Sequence, residues 1–231
     1  MHRLMMTSAT YQQSADFRKD AAAIDPGNRL LWAFHRQRLE GEVIRDSSLA
    51  VAGMLNLKSG GPSVYPELPE GMISPRGGWK VSAGDERNRR SVYIFVKRNS
   101  RYPLMEAYDM PDTHESCSRR EVTTTAPQAL AMLNDRVTLE WARAFAGRAL
   151  AAQDPVDTAF RLAYSRPPDG WEKDTAATFL EKQRRLIAAR PATDVLALPA
   201  AMPDGMAPAA AAAFVDFCQM LLNSNEFVYR N

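Results

Sequence analysis

The sequence predicts a mainly α protein: a helical bundle joined to a long Gly/Pro-rich loop, with a minor β element near 90–98. Three observations lead there. From Thr125 onward, apolar residues recur at three- and four-residue spacings between evident helix caps. Between Lys58 and Asn88 stand Pro62, Pro66, Pro69 and Pro75 together with six glycines, a density that no helix survives. Between these regions, Val92, Ile94 and Val96 alternate with Tyr93, Phe95 and Lys97, the period of a strand built from β-branched and aromatic residues.

Taken in order, His2 to Ser14 reads as an uncapped helix with Leu4, Met5, Ala9 and Tyr11 as its apolar members. Asp25-Pro26-Gly27-Asn28 is a turn and helix start. Arg29 to about Leu55 has helical spacing through Leu39, Val43, Ile44, Ala50, Val51 and Met54, with Gly41 as a break. The loop from Lys58 to Asn88 is longer than compact domains usually tolerate unless it is ordered; Val64, Tyr65, Met72, Ile73 and Trp79 are the side chains expected to pin it. The strand at 90–98 must pair with that loop or with Leu104 to Tyr108, because a lone strand is unstable. Thr125 caps a helix with Pro127 in its first turn, and Val137 to Ala152 forms the next. Asp154-Pro155 opens a third, ended by Arg166-Pro167-Pro168, and Asp169 opens a fourth that carries Phe179, Leu186 and Ile187 and stops at Pro191. Ala192 to Pro208 is an Ala/Pro-rich linker before the last helix, Ala209 to Leu222. The organisation expected is one unit over 1–231: a helical part at 1–57, an irregular and β part at 58–124, and the bundle at 125–231.

With 231 residues, 45% hydrophobic and 24% charged, the chain can bury a substantial core. No apolar run approaches the roughly 20 residues of a membrane helix, and Met1 to Thr10 lacks the apolar stretch of a signal peptide. A net charge of +2 gives no argument for a nucleic-acid or membrane partner. Its distribution is uneven: Arg76 to Arg101 holds eight basic residues against Asp85 and Glu86. Tyr93, Phe95 and Tyr102 interleave with that band, as on a single-strand nucleic-acid face; an edge strand protected by charge explains it as well, and no nucleic-acid partner is assigned. Two cysteines, Cys117 and Cys218, exclude a cysteine-rich zinc module and a haem attachment motif. No metal site and no cofactor are assigned to the chain.

The densest polar cluster runs from Asp109 to Glu121 and includes Asp112, His114, Glu115, Cys117, Arg119 and Arg120. Asp109, Asp112 and His114 are the catalytic candidates, since a carboxylate and an imidazole can form an acid/base pair. Their spacing fits no metal-binding helix, and a turn-rich segment in which Arg119 and Arg120 brace carboxylates is the structural alternative. Arg119 and Arg120 could instead grip a sulfate or sugar carboxylate, helped by Thr125 at the following helix start; an N-cap plus an ion pair accounts for the same residues. Serine-hydrolase elbows, phosphate loops and dinucleotide fingerprints do not occur.

Several longer words carry a family resemblance. They are Asp25-Pro-Gly-Asn-Arg-Leu-Leu-Trp32, Arg38-Leu-Glu-Gly-Glu-Val-Ile-Arg-Asp46, Gly60-Gly-Pro-Ser-Val64 and Arg89-Arg-Ser-Val-Tyr93. Asp109-Met-Pro-Asp112, Cys117-Ser-Arg-Arg-Glu121, Thr125-Ala-Pro-Gln-Ala-Leu130, Leu133-Asn-Asp135 and Leu222-Asn-Ser-Asn-Glu-Phe227 continue the series in order. Together they resemble the domain of unknown function 1553 (DUF1553) family, over nearly the whole chain. The resemblance implies a module of large exported planctomycete-type proteins, often beside a domain of unknown function 1549 and a cytochrome c-like domain that would carry any haem. It implies upstream domains of the same polypeptide as partners and a periplasmic or surface location, and it makes this chain a C-terminal fragment truncated at its start. It carries no catalytic residues. The function expected is binding or scaffolding, with polysaccharide as a possible ligand. The alternative is a hydrolase acting on polysaccharide or sulfated sugar through 109–121. Export also motivates a Cys117–Cys218 disulfide, which would close a loop of about 100 residues and stabilise by about 4 kcal/mol.

Overall fold

In the computed structural model, which describes residues 1–69, 72, 78–98, 100–191 and 193–230, the second half is helical as its caps foretell. Helices α5 (Ala126–Asn134), α6 (Arg136–Leu150), α7 (Pro155–Tyr164), α8 (Gly170–Ala188) and α9 (Pro208–Leu222) are followed by a short α10 (Asn225–Val228). Asp135 caps α6 by accepting from the Val137 N–H at 2.9 Å. Asp169 and Glu172 exchange hydrogen bonds of 2.7 and 2.8 Å at the start of α8, a capping box that satisfies two otherwise orphaned donors. Ser165 takes a left-handed conformation (φ 60°) to end α7.

Helix α9 is the centre of the bundle. Its Ala211, Ala212, Ala213, Phe214, Val215, Phe217, Cys218, Leu221 and Leu222 are buried, between α6 and α8. From α6 come Trp141, Ala142, Phe145, Ala146 and Ala149, all buried. Each large side chain here contributes about 1.5–3 kcal/mol by leaving water. The 193–207 segment is not a free linker: Ala200 donates to the Arg143 carbonyl at 3.0 Å, and Arg143 donates to the Leu198 carbonyl at 2.6 Å. Gly147 makes this approach possible, since a Cβ there would stand 2.9 Å from the Ala201 nitrogen. Of the three residues expected on the inner face of α8, Ile187 is buried and Phe179 packs half-buried against the core, whereas Leu186 is exposed.

The first half contains less helix than its periodicity suggests. Helix α1 covers only His2–Met6 and α2 (Lys19–Ile24) replaces the expected start at Asp25; neither buries a side chain. Between Arg29 and Leu55 only α3 (Gly41–Val51) forms. The reason is local competition by side chains. The Asp25 carboxylate accepts from the Leu30 N–H at 2.7 Å, and Asn28 bonds both the N–H and the carbonyl of Ala33. Asn28 and Leu31 are thereby held at positive φ (51° and 55°). Gly41 is no break; it opens α3, where a Cβ would lie 2.9 Å from the Tyr108 Cβ in α4 (Pro103–Ala107) and its C-cap.

The strand expected at 90–98 is corrected to a single bridge. The Asp46 carboxylate accepts from both the Ser91 N–H and hydroxyl at 2.7 Å, and Ser91–Tyr93 winds into a 3₁₀ turn. Extended pairing is left only at Ile94, which bridges Val64 in parallel. The minor β element lies elsewhere, as β1 (Gln37–Arg38) antiparallel to β2 (Tyr229–Arg230), tying the first half to the last helix. In the long loop Val64 is buried, and Tyr65 packs on Trp79 and Phe95 with ring centroids 5.3 and 5.0 Å apart. Met72 is exposed; Ile73 lies outside the described residues.

Buried arginines organise what secondary structure does not. Arg45 donates to the carbonyls of Arg89 (2.9 Å) and Arg87 (2.7 Å) and to Ser91 Oγ (3.2 Å). Arg89 donates to the carbonyls of Lys58 (3.2 Å), Pro62 (3.1 Å) and Gly60, with its guanidinium 4.0 Å above the Tyr93 ring. Loop carbonyls that no ladder or helix serves thus find donors.

Candidate functional site

The polar segment 109–121 follows α4 and lies against the start of α3. Asp109 adopts φ 60°, a conformation aspartate tolerates. Its carboxylate accepts from the Thr123 N–H (2.9 Å), from the Thr123 hydroxyl (2.8 Å) and from the guanidinium of Arg38. Arg38 is itself buried and donates to the carbonyls of Thr123 and Leu39, each at 2.8 Å. Burial pushes the Asp109 pKa up, but the Thr123 hydrogen bonds and the Arg38 charge outweigh it and hold the carboxyl below its ordinary range.

Arg120 forms a forked pair with Glu42 (2.9 and 2.8 Å) and reaches Glu40 at 3.2 Å. Glu42 stands in the first turn of α3, where the helix dipole favours negative charge. Burial raises its pKa; the Arg120 bonds outweigh that and leave it lowered. Asp112 accepts from the His114 N–H at 2.9 Å, which lowers its pKa in turn. Thr125 is an N-cap: its N–H donates to Gln128 Oε1 at 3.2 Å in a capping box at the start of α5.

An open depression of about 490 Å³ gathers Asp109, Asp112, Cys117, Arg119 and Arg120. His114 and Thr125 are outside its lining. Four of the expected site residues therefore meet (Asp109, Asp112, Arg119 and Arg120); Asp109, Asp112 and Arg120 are engaged by their own neighbours, and Arg119 is exposed. The Asp109 and Asp112 carboxylates are biased toward the ionised form, the opposite of what a general acid needs. Cys117 is exposed and donates to the Arg119 carbonyl at 3.2 Å, whereas Cys218 is buried on α9. Both thiols are free, so the expected disulfide is not formed: one sulfur faces solvent and the other the core. Among the described residues, no group of three or more His, Cys, Asp or Glu side chains is placed to hold a metal ion.

A second concavity, of about 600 Å³, was not foreseen. It runs between α3, the 90–96 segment and α4, with Ile94, Phe95, Tyr102, Met105 and Met110 among its apolar lining. Arg120 and Glu42 border it too, so their ion pair is a wall shared with the polar depression on Arg120's side. The sequence signal was the Val92–Val96 alternation, whose apolar side chains line a groove instead of a sheet.

The words that carry the family resemblance meet one another in space. Arg38 of one binds Asp109 of another, Glu42 binds Arg120, and Arg89 closes on the Gly60–Pro62 carbonyls while the Gly60 N–H donates to Tyr93 Oη at 2.9 Å. A family model described as "Protein of unknown function (DUF1553)" matches residues 1–180. The chain belongs to this family. No curated protein and no solved structure matches it. The stretch matched in this DUF1553 protein takes in α1 to α7, most of α8 and all three buried-arginine clusters described above. Among the described residues no helix is long and apolar enough to cross a membrane.

Proposed function

We propose that this DUF1553 chain is a non-catalytic binding and scaffolding module of an exported, multidomain polypeptide, acting beside the upstream domains of that polypeptide. The observation that carries the reading is the internal engagement of Asp109 and Arg120. Asp109 is held by Arg38 and Thr123, and Arg120 by Glu42 and Glu40, so the groups a hydrolase would turn toward substrate serve as struts between α3, α4 and α5. The family resemblance supports export and partner domains in cis.

The test is an activity screen on polysaccharides and sulfated sugars, reading new reducing ends and released sulfate, with wild-type, Asp112→Asn and His114→Ala proteins. No turnover is expected from any of them. Turnover that either substitution abolishes while the thermal midpoint stays unchanged would establish the hydrolase instead. Expression of the full polypeptide followed by cell fractionation checks the location; a cytosolic product contradicts export.

A further inference from the structure

The strongest β-forming stretch of the chain ends with one edge unserved. On one side, the Tyr93 carbonyl accepts from Val64 (2.8 Å) and the Phe95 N–H donates to Val64 (2.9 Å). Successive backbone groups along an extended chain point to opposite edges, so the Ile94 carbonyl and the Val96 N–H and carbonyl belong to the other edge. Among the described residues none of these three has a hydrogen-bond partner. The same stretch borders the 600 Å³ groove, and Val92 (73% exposed), Val96 (43%) and Val43 (42%) stand uncovered along it. Unpaired backbone beside exposed valines is a surface that invites a further strand.

Charge selects the occupant. Lys97 and Arg98 follow the edge directly and have no ion-pair partner among the described residues, while Arg90, at the other end, approaches Asp46 only at 3.7 Å. A second copy of this chain paired in parallel across Ile94–Val96 would align the two Lys97–Arg98 sets, and one paired antiparallel would turn each set toward the other copy's Arg90 end; like charges across a strand pair are destabilising. We propose that residues 94–98 accept an extended, acidic-flanked segment of another polypeptide as an added β-strand, its alternate apolar side chains entering the groove over Ile94, Met105 and Met110. This deepens the binding-module reading and rests on it. The register follows from the free groups: the partner donates to the Ile94 carbonyl, accepts from the Val96 N–H and places carboxylates near Lys97 and Arg98.

The probe is a short fluorescein-labelled peptide of alternating valine and threonine flanked by glutamates, read by anisotropy, with a lysine-flanked peptide of the same core beside it. The acidic peptide is expected to bind and the basic one not, with binding weakened by salt. The double substitution Lys97→Glu with Arg98→Glu is expected to reverse the preference. Val96→Pro removes the edge donor and is expected to abolish binding at an unchanged thermal midpoint. Should that variant not fold, the acidic peptide N-methylated at alternate residues, in both registers, makes the same test from the other side. Equal binding of both peptides, binding of neither, or binding indifferent to proline and to both methylated forms overturns the proposal. So does a concentration-dependent dimer in sedimentation that the acidic peptide fails to dissociate. These readouts are separate from the turnover screen, so failure here leaves the non-catalytic reading to be judged there.

Discussion

Replacing Arg89 by methionine tests whether buried guanidinium groups hold the irregular half of the molecule. The Arg89 side chain is fully buried, reaches three loop carbonyls and stacks on Tyr93 at 4.0 Å. Methionine keeps most of the aliphatic volume and removes every donor. A hydrogen bond from a charged donor is worth about 1.5–3 kcal/mol net. Two effects act against the full sum over three bonds. Lys58, Gly60 and Pro62 are exposed residues, so water can recover part of their carbonyl bonding, and removing the guanidinium also relieves its desolvation. A net loss of about 3 kcal/mol follows, which for a chain of this size lowers Tm by roughly 6–12 °C. Arg89→Lys keeps the charge without the planar fork and is expected to fall between. Circular dichroism melts give the midpoint, and limited proteolysis shows whether cleavage begins within 58–98 ahead of global unfolding. A methionine variant that melts with the wild type and resists protease equally would refute the role assigned to Arg89.

Other expectations follow from the same contacts. Asp109→Asn leaves the buried Arg38 facing a neutral partner and should destabilise by about 3–5 kcal/mol, measured by urea unfolding. Because the folded Asp109 pKa lies below its unfolded value of about 3.9, its contribution is fully present above that pH and is lost as pH falls through the lower folded value; acid titration of stability should show a shallower decline in the asparagine variant. Under native conditions iodoacetamide should modify Cys117 and spare Cys218, whose burial pushes its thiol pKa well up; mass spectrometry showing two modifications at equal rates would contradict the packing of α9. Gly147→Ala drives a Cβ to 2.9 Å from the Ala201 backbone nitrogen and should cost about 1–3 kcal/mol, read as a lower Tm.

How much was legible in the sequence divides near Thr125. Beyond it the helices carry their own punctuation, Asp135, Asp154-Pro155 and Asp169 with Glu172, and caps act within a few residues, where sequence is informative. Before it, the deciding interactions are long in sequence or contrary to periodicity. Asp25 and Asn28 divert a helical pattern through side-chain bonds, and Asp46 twists the start of a strand pattern into a turn from a helix 45 residues away. The candidate site shows the same limit. The polar cluster at 109–121 was evident, yet whether Asp109 was free or engaged depended on Arg38, which lies 71 residues upstream. No local spacing contains that information.

The link between proline content and buried arginine explains why this fold tolerates so long a loop. Proline contributes a carbonyl and no N–H, so the stretch containing Pro62, Pro66 and Pro69 carries more acceptors than donors. A backbone that cannot balance itself must be hydrated or supplied with donors from elsewhere. Arginine is the side chain with donors in a planar fork and no acceptor, and it is what the structure places there. Arg89 takes the carbonyls at Lys58, Gly60 and Pro62, while Arg45, projecting from α3, takes those of Arg87 and Arg89. The second arginine thus binds the backbone that presents the first, a relay from a regular helix into the irregular segment. Rigidity passes along it to Val64 and Ile94, whose bridge fixes one edge of the 94–98 stretch and leaves the other facing the groove. On this reasoning the loss of Arg45 or Arg89 should weaken strand capture at that edge even though neither residue touches the partner. A variant that loses the relay yet binds the acidic peptide with undiminished affinity would show that the edge is held by the aromatic packing of Tyr65 on Phe95 alone.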